Sequence, residues 1–398
     1  MQDITVRAAG WARSVAASVL RILPGSGLPR GTIPDFRAWS ESRETRLQWM
    51  ERGWDHWCIP VREAELVEMA PPLTADGAVN PVYRGAQFYR YPPLYLAHIR
   101  NGRLLGREGA VLTSDGRVLE ESSFAWGNSP RTWPVFSRLR VPEIRQKSGA
   151  MLTLLSPVAG KPNYFHWWVD TLPRLAVAEA AGIRRFQVIV PDRMEDWQRE
   201  SLERLGISSN RWEPFGDDHW QVESLLFPSL MGYSGMVRPW AVDWLRRKIG
   251  LPKPAAGKRR LYLRRTKAGY RQVANEAELL PILKSYKFEF LETQGMSLAE
   301  QMKLFSSAEV VVSIHGAGLA NLLFAPPKTR VVEFMSPHPA YTNTCYYSLC
   351  SAVGHRYGVI FGKHPGPVAE GGAARRWRED LIVPADVLEE TLSMLLGR

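Results

Sequence analysis

A glycine turn with a histidine in front of it is the part of this sequence best suited to bind an anion. Residues 310–314 form an apolar run that predicts a strand buried on both faces. His315 follows, and Gly316 and Gly318 allow a sharp turn and leave room for a ligand. Residues 319–324 predict a helix, whose first N–H groups and dipole attract negative charge. The pattern therefore predicts a site for a phosphate-bearing ligand.

A second candidate is the basic cluster at residues 264–271, directly after another predicted strand. It contains Arg264, Arg265 and Arg271, and guanidinium groups bind phosphate oxygens through paired hydrogen bonds. In a doubly wound sheet, ligands bind at the carboxyl ends of the strands, so we expect the cluster to face the same crevice as His315. A solvated basic loop is the alternative.

A third group lies on one predicted helix at a spacing of four residues. His166, Asp170 and Arg174 would share a face of that helix. Asp170 could orient His166 and stabilise its charged form, and such a pair is a common general base because imidazole titrates near neutrality. The alternative is a polar stripe on a helix that packs Trp167 and Trp168 into the core.

Glu333 ends the predicted strand 330–334, where a carboxylate can accept hydrogen bonds from two hydroxyl groups, for example those of a ribose. A strand-end glutamate without a ligand is the alternative. The sequence has no Asp-x-Asp pair of the kind that holds a divalent ion against a diphosphate. We therefore expect no metal, and we expect the charge of a phosphate group to be met by Arg265, Arg271 and His315.

Strand and helix patterns alternate from residue 151 onwards, which predicts parallel, doubly wound α/β sheets. A Pro- and Gly-rich stretch at 251–258 predicts a linker, with a ligand-binding cleft between the two halves. The predicted strands are 152–155, 186–191, 260–263, 288–291, 310–314 and 330–334, and the predicted helices are 163–181, 195–205, 275–286, 297–306, 319–324 and 343–353.

The length of 398 residues predicts two domains, at residues 1–250 and 251–398. Within the first, residues 25–150 are rich in Pro, Gly and Trp and predict an irregular, β-rich region, and 151–250 predict an α/β region. The net charge of +11 favours acidic partners. No nucleic-acid motif is recognisable, and three cysteines without metal-type spacing favour a reducing compartment.

The N-terminal residues 4–23 have a helical pattern that mixes apolar side chains with arginines. The pattern is too interrupted for a signal peptide and suits a helix lying on an anionic membrane surface. The alternatives are a helix packed on its own domain and a frayed end. No run reaches the ~18 uncharged apolar residues of a membrane span.

Three motifs in this order resemble glycosyltransferase family 61, the DUF563 group often described in bacteria as capsular polysaccharide biosynthesis proteins. The resemblance covers roughly residues 150 to 360. The motifs lie at residues 163–175, at 265–271 with 275–276, and at 301–310 with 315–324 and 332–333.

The resemblance implies a GT-B architecture of two Rossmann-like domains that face a central cleft. It further implies a nucleotide-sugar donor such as a UDP-sugar, inversion at the anomeric carbon, and no metal or other cofactor. Residues 1–250 would form the acceptor-side domain and residues 251–398 the donor domain. Arg264 stands where a small residue is expected, which leaves open which arginine binds phosphate.

By position, the donor site would consist of two arginines, the glycine turn with its flanking residues, and the strand-end glutamate that holds the ribose. The catalytic and acceptor residues would come from the first motif. The donor-binding residues are Arg265, Arg271, His315, Gly316, Ala317, Gly318, Leu319, Asn321 and Glu333, the catalytic residues are His166 and Asp170, and the acceptor-binding residues are Asn163, Trp167 and Arg174.

The predicted reaction is a direct displacement in which His166, assisted by Asp170, takes the proton of an acceptor hydroxyl. Whether His166 or Asp170 is the base stays open. A glycan or glycolipid acceptor, a role in cell-surface polysaccharide synthesis and a cytoplasmic enzyme near the inner membrane are expected. The alternatives are a GT-B-like nucleotide-sugar epimerase, a non-catalytic carbohydrate-binding or scaffold subunit, and a membrane-surface adaptor.

Overall fold

The computed structural model describes most of the chain, and its contacts divide the chain into two units. Unit 1 consists of Met1–Ala64 and Pro92–Met231, and unit 2 of Glu65–Tyr91 and Gly232–Arg398. The described residues are 27–42, 56–123, 133–157, 163–233, 235–253, 258–266, 269–338, 342–366 and 379–397.

The strands of the described residues are numbered β1 to β16 in chain order. They are Gly31–Ile33, His56–Arg62, Glu65–Glu68, Phe88–Tyr91, Leu94–Leu105, Ala110–Leu112, Arg117–Leu119, Arg145–Thr153, Gln187–Pro191, Trp212–Phe215, His219–Pro228, Arg259–Leu263, Glu289–Leu291, Ala308–Ile314, Arg330–Met335 and Arg356–Phe361.

The α-helices of the described residues are numbered α1 to α10 in the same way. They are Phe36–Glu41, Pro81–Ala86, Tyr164–His166, Arg174–Ala180, Asp196–Arg204, Pro239–Lys248, Glu276–Ser285, Leu298–Phe305, Cys345–Val353 and Ala385–Leu396. A π-helical turn, Trp167–Thr171, follows α3, and 3-10 helices cover Glu120–Ser122, Pro134–Ser137, Ser209–Arg211 and Ala317–Phe324.

Unit 1 contains a mixed sheet rather than the predicted parallel one. Within the described residues its strand order is β1-β7-β6-β5-β11-β8-β9-β10, with β2 also paired to β5. The strands from β11 to β10 run parallel, as in a doubly wound sheet. The pairs that β5 makes with β2, β6 and β11 are antiparallel. The described part of residues 25–150 contains strands β1 to β7, whereas the parallel, doubly wound pattern holds only for the later strands.

Unit 2 contains a five-stranded parallel sheet in the part of the chain that the structure describes, in the order β13-β12-β14-β15-β16. One face packs on α7 and α10 through buried apolar side chains such as Val312, Val332, Leu283 and Leu392. The 3-10 helix Ala317–Phe324 contacts α6, α8 and α9. Strands covered on both faces explain the near-continuous Val and Ile runs in the sequence.

The division into units differs from the predicted boundary at residue 250. Residues 232–250 and the excursion Glu65–Tyr91 belong to unit 2. The excursion is joined to the sheet by a bridge between Leu73 and Gly358. The predicted N-terminal helix at 4–23 and the middle of the predicted linker, residues 254–257, lie outside the described residues.

None of the described helices is long and apolar enough to cross a membrane. The three cysteines form no disulfide. Cys345 and Cys350 are buried, whereas Cys58 is half-buried, and burial raises the pKa of its thiol to about 12.

Arg174 is a buried cation in unit 1. Its Nε donates to the Pro228 carbonyl at 3.0 Å, and its Nη1 donates to the Leu155 carbonyl at 2.9 Å. Burial lowers its pKa to about 10, while the nearby Glu121 carboxyl opposes that shift. Because the guanidinium is wholly buried, its two bonds to carbonyl groups tie the helix that carries it to β11 and to the end of β8.

We expect Arg174→Met to destabilise the protein by about 3 kcal/mol, because it leaves the buried Pro228 and Leu155 carbonyls without their donor and removes the positive charge near Glu121. Urea unfolding followed by tryptophan fluorescence measures this loss. Arg199→Met is the control: Arg199 is exposed and pairs with Asp196 on the surface, so its loss should cost under about 1 kcal/mol. Equal losses would contradict a structural role for Arg174.

Candidate functional site

The carboxyl edge of the sheet in unit 2 contains the point where strand order reverses. The chain places β13 on one side of β12 and then returns to place β14 on the other side. Ligands of open α/β sheets bind at such a point. Leu263 at the end of β12 pairs with Ser313 near the end of β14. The arginine cluster follows the first of these strands and His315 follows the second, so the structure places both at the reversal.

Arg265 and Gly316 approach each other closely at this point. A Cβ added to Gly316 would lie 3.0 Å from Cζ of Arg265 and closer still to its Nη1. The backbone of Gly316 is extended, with φ −179°, so any residue could adopt its conformation. Glycine is therefore needed here for space, because a side chain would displace the guanidinium group.

Arg271 and Arg265 lie against the same aromatic ring. Each guanidinium carbon is 5.4 Å from the centre of the Tyr270 ring, and Nε of Arg265 donates to the Arg271 carbonyl at 3.2 Å. Burial, and then repulsion by Arg265, lower the pKa of Arg271. Its φ of +54° lies in the left-handed region that residues with side chains disfavour. An anion beside these two like charges would reduce their repulsion.

A cavity of about 80 Å³ lies beside Arg265 and the glycine turn. One water molecule needs roughly 10–15 Å³ of such space, so the cavity can hold a group of several atoms such as a phosphate. Gly318 borders the cavity, and a Cβ there would lie 3.0 Å from Oγ1 of Thr293. The lining residues are Leu263, Arg264, Arg265, Glu292, Thr293, Gln294, Ser313, Gly316 and Gly318.

Arg264 has a different role from its neighbour. Its Nε lies 3.2 and 3.1 Å from the two carboxylate oxygens of Glu276, and its Nη2 also donates to that carboxylate. Glu276 begins α7, so this ion pair fixes the loop to the helix that follows it. The geometry favours Arg265 over Arg264 as the phosphate ligand.

His315 is paired with Glu333 behind the glycine turn. Nδ1 of His315 lies 2.5 Å from Oε1 of Glu333, and the Tyr357 hydroxyl donates to Oε2 at 2.5 Å. The His315 side chain is 16% exposed and that of Glu333 is 0% exposed. A ligand hydroxyl therefore has no access to the Glu333 carboxylate, and the ribose contact predicted for it is replaced by an interaction with His315.

The residues of the glycine turn differ in their access to a ligand. Ala317 is exposed and Gly318 half-buried, whereas Leu319 and Asn321 are wholly buried. The Asn321 amide donates to Oε1 of Gln301 at 2.7 Å and to the Gly318 carbonyl at 3.1 Å. Leu319 and Asn321 therefore support the turn from inside, which corrects their prediction as donor contacts. The predicted helix at 319–324 is a 3-10 helix that begins at Ala317.

In unit 1, His166 and Asp170 form the predicted pair. Nδ1 of His166 lies 2.6 Å from Oδ2 of Asp170, and the two side chains are 22% and 8% exposed. Asn163 caps the helix, since its Oδ1 accepts from the His166 N–H at 3.2 Å. A histidine whose Nδ1 is held by a carboxylate, as in this pair, exchanges protons through Nε2. An acceptor contact of the exposed Asn163 stays a prediction.

Trp167 and Arg174 do not line an open site. Trp167 is 2% exposed, and its indole N–H donates to Oγ of Ser201 at 2.8 Å, while Arg174 is 0% exposed. The predicted single helix is interrupted by a π-helical turn, in which the Leu172 N–H bonds to the Trp167 carbonyl, and by Pro173. These two breaks change the direction in which the side chains of the next helix point. Arg174 therefore does not lie on the same helix face as His166. Both acceptor predictions are corrected to structural roles.

Three tyrosines of the site in unit 2 were not found from the sequence. Tyr270 stacks with the two arginines, Tyr346 lies 5.2 Å from the His315 ring, and Tyr357 bonds to Glu333. Burial raises the pKa of Tyr346 and of Tyr357 well above the ordinary value, so both stay neutral. For Tyr346 and Tyr357 the available signal was a hydroxyl-bearing residue within a largely apolar helix or strand.

No group of three or more His, Cys, Asp or Glu side chains is arranged to hold a metal ion among the described residues. The groups at the switch point, where the strand order of unit 2 reverses, are arginines, a histidine and the backbone of the glycine turn. This set can bind a phosphate or diphosphate. The His–Asp pair of unit 1 can accept or deliver a proton.

Residues 164–332 match the family Glycosyltransferase 61. The matched region contains the His–Asp pair, the arginine loop and the glycine turn, and it ends one residue before Glu333. This match confirms, over these residues, the resemblance found in the sequence.

The chain is also similar to EGF domain-specific O-linked N-acetylglucosamine transferases. It is 31% identical to the Drosophila melanogaster protein over 152 residues, which is 35% of this chain and 28% of that protein. It is 28% identical to the Gallus gallus protein over 135 residues, 31% of this chain and 24% of that protein. The chain thus spans about a quarter of the length of these curated relatives.

We expect Gly316→Ala to weaken the binding of uridine diphosphate at least tenfold, because the new Cβ displaces the Arg265 guanidinium. Isothermal titration calorimetry gives the affinity. Stability should change little, since the backbone at this position is extended. Gly85→Ala is the control, because a Cβ there has nothing within 4 Å. Unchanged affinity in Gly316→Ala would remove Arg265 from the binding site.

Proposed function

We propose that this chain is a glycosyltransferase of the GT-B class that moves a sugar from a nucleotide-sugar to a hydroxyl group. The observation that carries the proposal is the pair Arg265 and Arg271, held on one ring beside Gly316 at the sheet reversal. The family match over residues 164–332 supports it. Unit 2 would bind the donor, and unit 1 would supply the base.

The proposed donor is a UDP-sugar, with its diphosphate on the arginine pair and the glycine turn. The diphosphate would lessen the repulsion between the two guanidinium groups, and it would place an anion near the first N–H groups of the 3-10 helix. The names of the similar proteins make UDP-N-acetylglucosamine the first donor to test.

The proposed reaction inverts the anomeric carbon in one displacement. The acceptor oxygen forms a bond to that carbon while the bond to the donor phosphate breaks, and its electron pair leaves with the nucleoside diphosphate. The acceptor proton passes to Nε2 of His166, whose Nδ1 is held by Asp170. Asp170 thus orients His166, in the manner of a carboxylate–histidine pair that acts as base.

Metal independence is part of the proposal. Departure of a diphosphate needs positive charge, and Arg265, Arg271 and His315 would supply it without a divalent ion. A glycan or glycolipid acceptor, a place in cell-surface polysaccharide synthesis, a cytoplasmic location and a peripheral membrane contact through residues 4–23 remain predictions of the sequence.

The test is a transfer assay with a panel of nucleotide-sugars and glycan acceptors in the presence of EDTA. We expect release of nucleoside diphosphate that depends on the acceptor, together with a product whose anomeric configuration is inverted by NMR. Conversion of donor without acceptor would favour an epimerase. Binding of glycans without turnover of any donor would favour the non-catalytic scaffold.

We expect His166→Ala to lower kcat by about 10²- to 10⁴-fold, the usual contribution of a positioned base. Donor affinity should stay within about twofold, because His166 is not among the donor ligands. Steady-state kinetics and calorimetry with uridine diphosphate separate the two effects. Near-normal turnover in this variant would exclude His166 as the base.

A further inference from the structure

A chain of buried hydroxyl groups lies behind His315 in unit 2. Tyr357 donates to Oε2 of Glu333 at 2.5 Å, and the Tyr357 and Tyr83 hydroxyls are 3.0 Å apart. Tyr83 and Glu333 are 0% exposed and Tyr357 is 7% exposed. The groups therefore exchange hydrogen bonds with one another, away from solvent.

When Glu333 is ionised, its carboxylate can only accept hydrogen bonds. Because each tyrosine hydroxyl has one proton to donate, this decides which group donates in each hydrogen bond of the series. The single hydroxyl proton of Tyr357 goes to Glu333. Tyr83 then donates to Tyr357 at 3.0 Å, a shorter contact than its alternative to the Asn343 carbonyl at 3.4 Å. On the other side of Glu333, the donor is Nδ1–H of His315, at 2.5 Å. The order is Tyr83 to Tyr357 to Glu333, with His315 bound to the same carboxylate.

This series of hydrogen bonds links His315 to the excursion Glu65–Tyr91. Tyr83 comes from α2 of that excursion, and Tyr357 comes from β16, next to the strand that carries Glu333. Ring contacts hold Tyr83 against Tyr357 at 5.9 Å and against Tyr347 at 5.4 Å. The excursion lies between two parts of unit 1 in sequence. Its Tyr83 hydroxyl is two hydrogen bonds away from Glu333, the partner of His315.

We propose that Tyr357 and Tyr83 are positioning residues that orient Glu333 and thereby hold Nδ1–H of His315, leaving Nε2–H for the donor phosphate. This inference rests on the proposed function for the role of the phosphate. The link between the tyrosines and the His315 imidazole does not depend on the proposed function, because it consists only of contacts within unit 2.

The charges and hydroxyl groups near His315 affect how readily its imidazole takes up a proton. Burial, and then the Glu333 charge, raise the pKa of Tyr357 well above its usual range, so its hydroxyl stays a donor at working pH. Burial also raises the pKa of Tyr346, which therefore stays neutral. The arginines stay cationic. Glu333 and Tyr346 contact His315 directly. The charged and titratable groups that interact with those two are Tyr357, Tyr83, Cys345, Cys350, Arg265 and Arg271.

Two substitutions should change the titration of His315 in opposite directions. Tyr357→Phe removes a hydroxyl whose positive end faces Glu333, so more negative potential reaches the imidazole and it keeps its proton to higher pH. Glu333→Gln removes the negative charge, so the imidazole loses its proton at lower pH. Tyr83→Phe should act like Tyr357→Phe but more weakly, because it is one bond further away.

The measurement is NMR of histidine-labelled full-length protein without ligand, with His315→Ala to assign the signal. We expect the pH at which the His315 signal moves to rise by roughly 0.5 to 1 pH unit in Tyr357→Phe and to fall in Glu333→Gln. Tyr347→Phe is the matched control. Its hydroxyl donates to the Met69 and Ala70 carbonyls instead, and it should leave the His315 signal unchanged.

The second measurement is the pH profile of uridine diphosphate affinity, which should shift in the same directions because the phosphate binds the protonated imidazole. A role in packing alone would leave the His315 titration where it is, and that result would overturn the proposal, as would shifts of the same sign in Tyr357→Phe and Glu333→Gln. If the NMR shifts occur and no variant binds nucleotide, the proposed function fails while the positioning role stands.

Discussion

The close approach of the Arg265 guanidinium to the backbone of Gly316 is the contact on which the candidate site depends. It brings a fixed cation to the point where the strand order of unit 2 reverses. The contact exists only because position 316 has no side chain. A second cation, Arg271, then shares the Tyr270 ring with the first. Without an anion, this arrangement concentrates like charge, and such an arrangement is typical of binding sites rather than of surface loops.

The same region contains features that cost stability. Arg271 has a left-handed backbone, which costs on the order of 1–2 kcal/mol for a residue with a side chain. Burial and the neighbouring arginine lower its pKa. Glu333 is a wholly buried carboxylate, whose desolvation is offset by hydrogen bonds from His315 and Tyr357. Strain and buried charge that occur together at one sheet edge favour a functional over a structural explanation.

Much of unit 2 could be predicted from sequence because its signals are local. Buried parallel strands are continuous apolar runs, and helices such as Leu298–Phe305 begin at a capping box. The alternation of the two predicts the sheet and places the arginine loop and His315 at its edge. The roles of Leu319, Asn321 and Glu333 could not be predicted, because burial on one side of a turn depends on the packing of α8 and β16.

Unit 1 was harder to predict for the same reason. His166 precedes the π-helical turn and Asp170 lies within it, and the two side chains still meet, while Arg174 follows both the turn and Pro173. A four-residue spacing carries no signal of such a break. The excursion Glu65–Tyr91 is equally hidden, because its attachment to unit 2 depends on contacts such as the Leu73–Gly358 bridge, between residues distant in sequence.

The central claim is that the switch point of unit 2 binds a nucleoside diphosphate without metal. Thermal unfolding across a panel of nucleoside diphosphates and nucleotide-sugars in EDTA, with Arg271→Ala beside the natural chain, tests it most directly. A ligand that binds the folded state raises the unfolding temperature by mass action. We expect stabilisation by one class of nucleotide, and we expect Arg271→Ala to abolish it. No stabilisation of a well-folded sample by any nucleotide, or equal stabilisation of the variant, would contradict it.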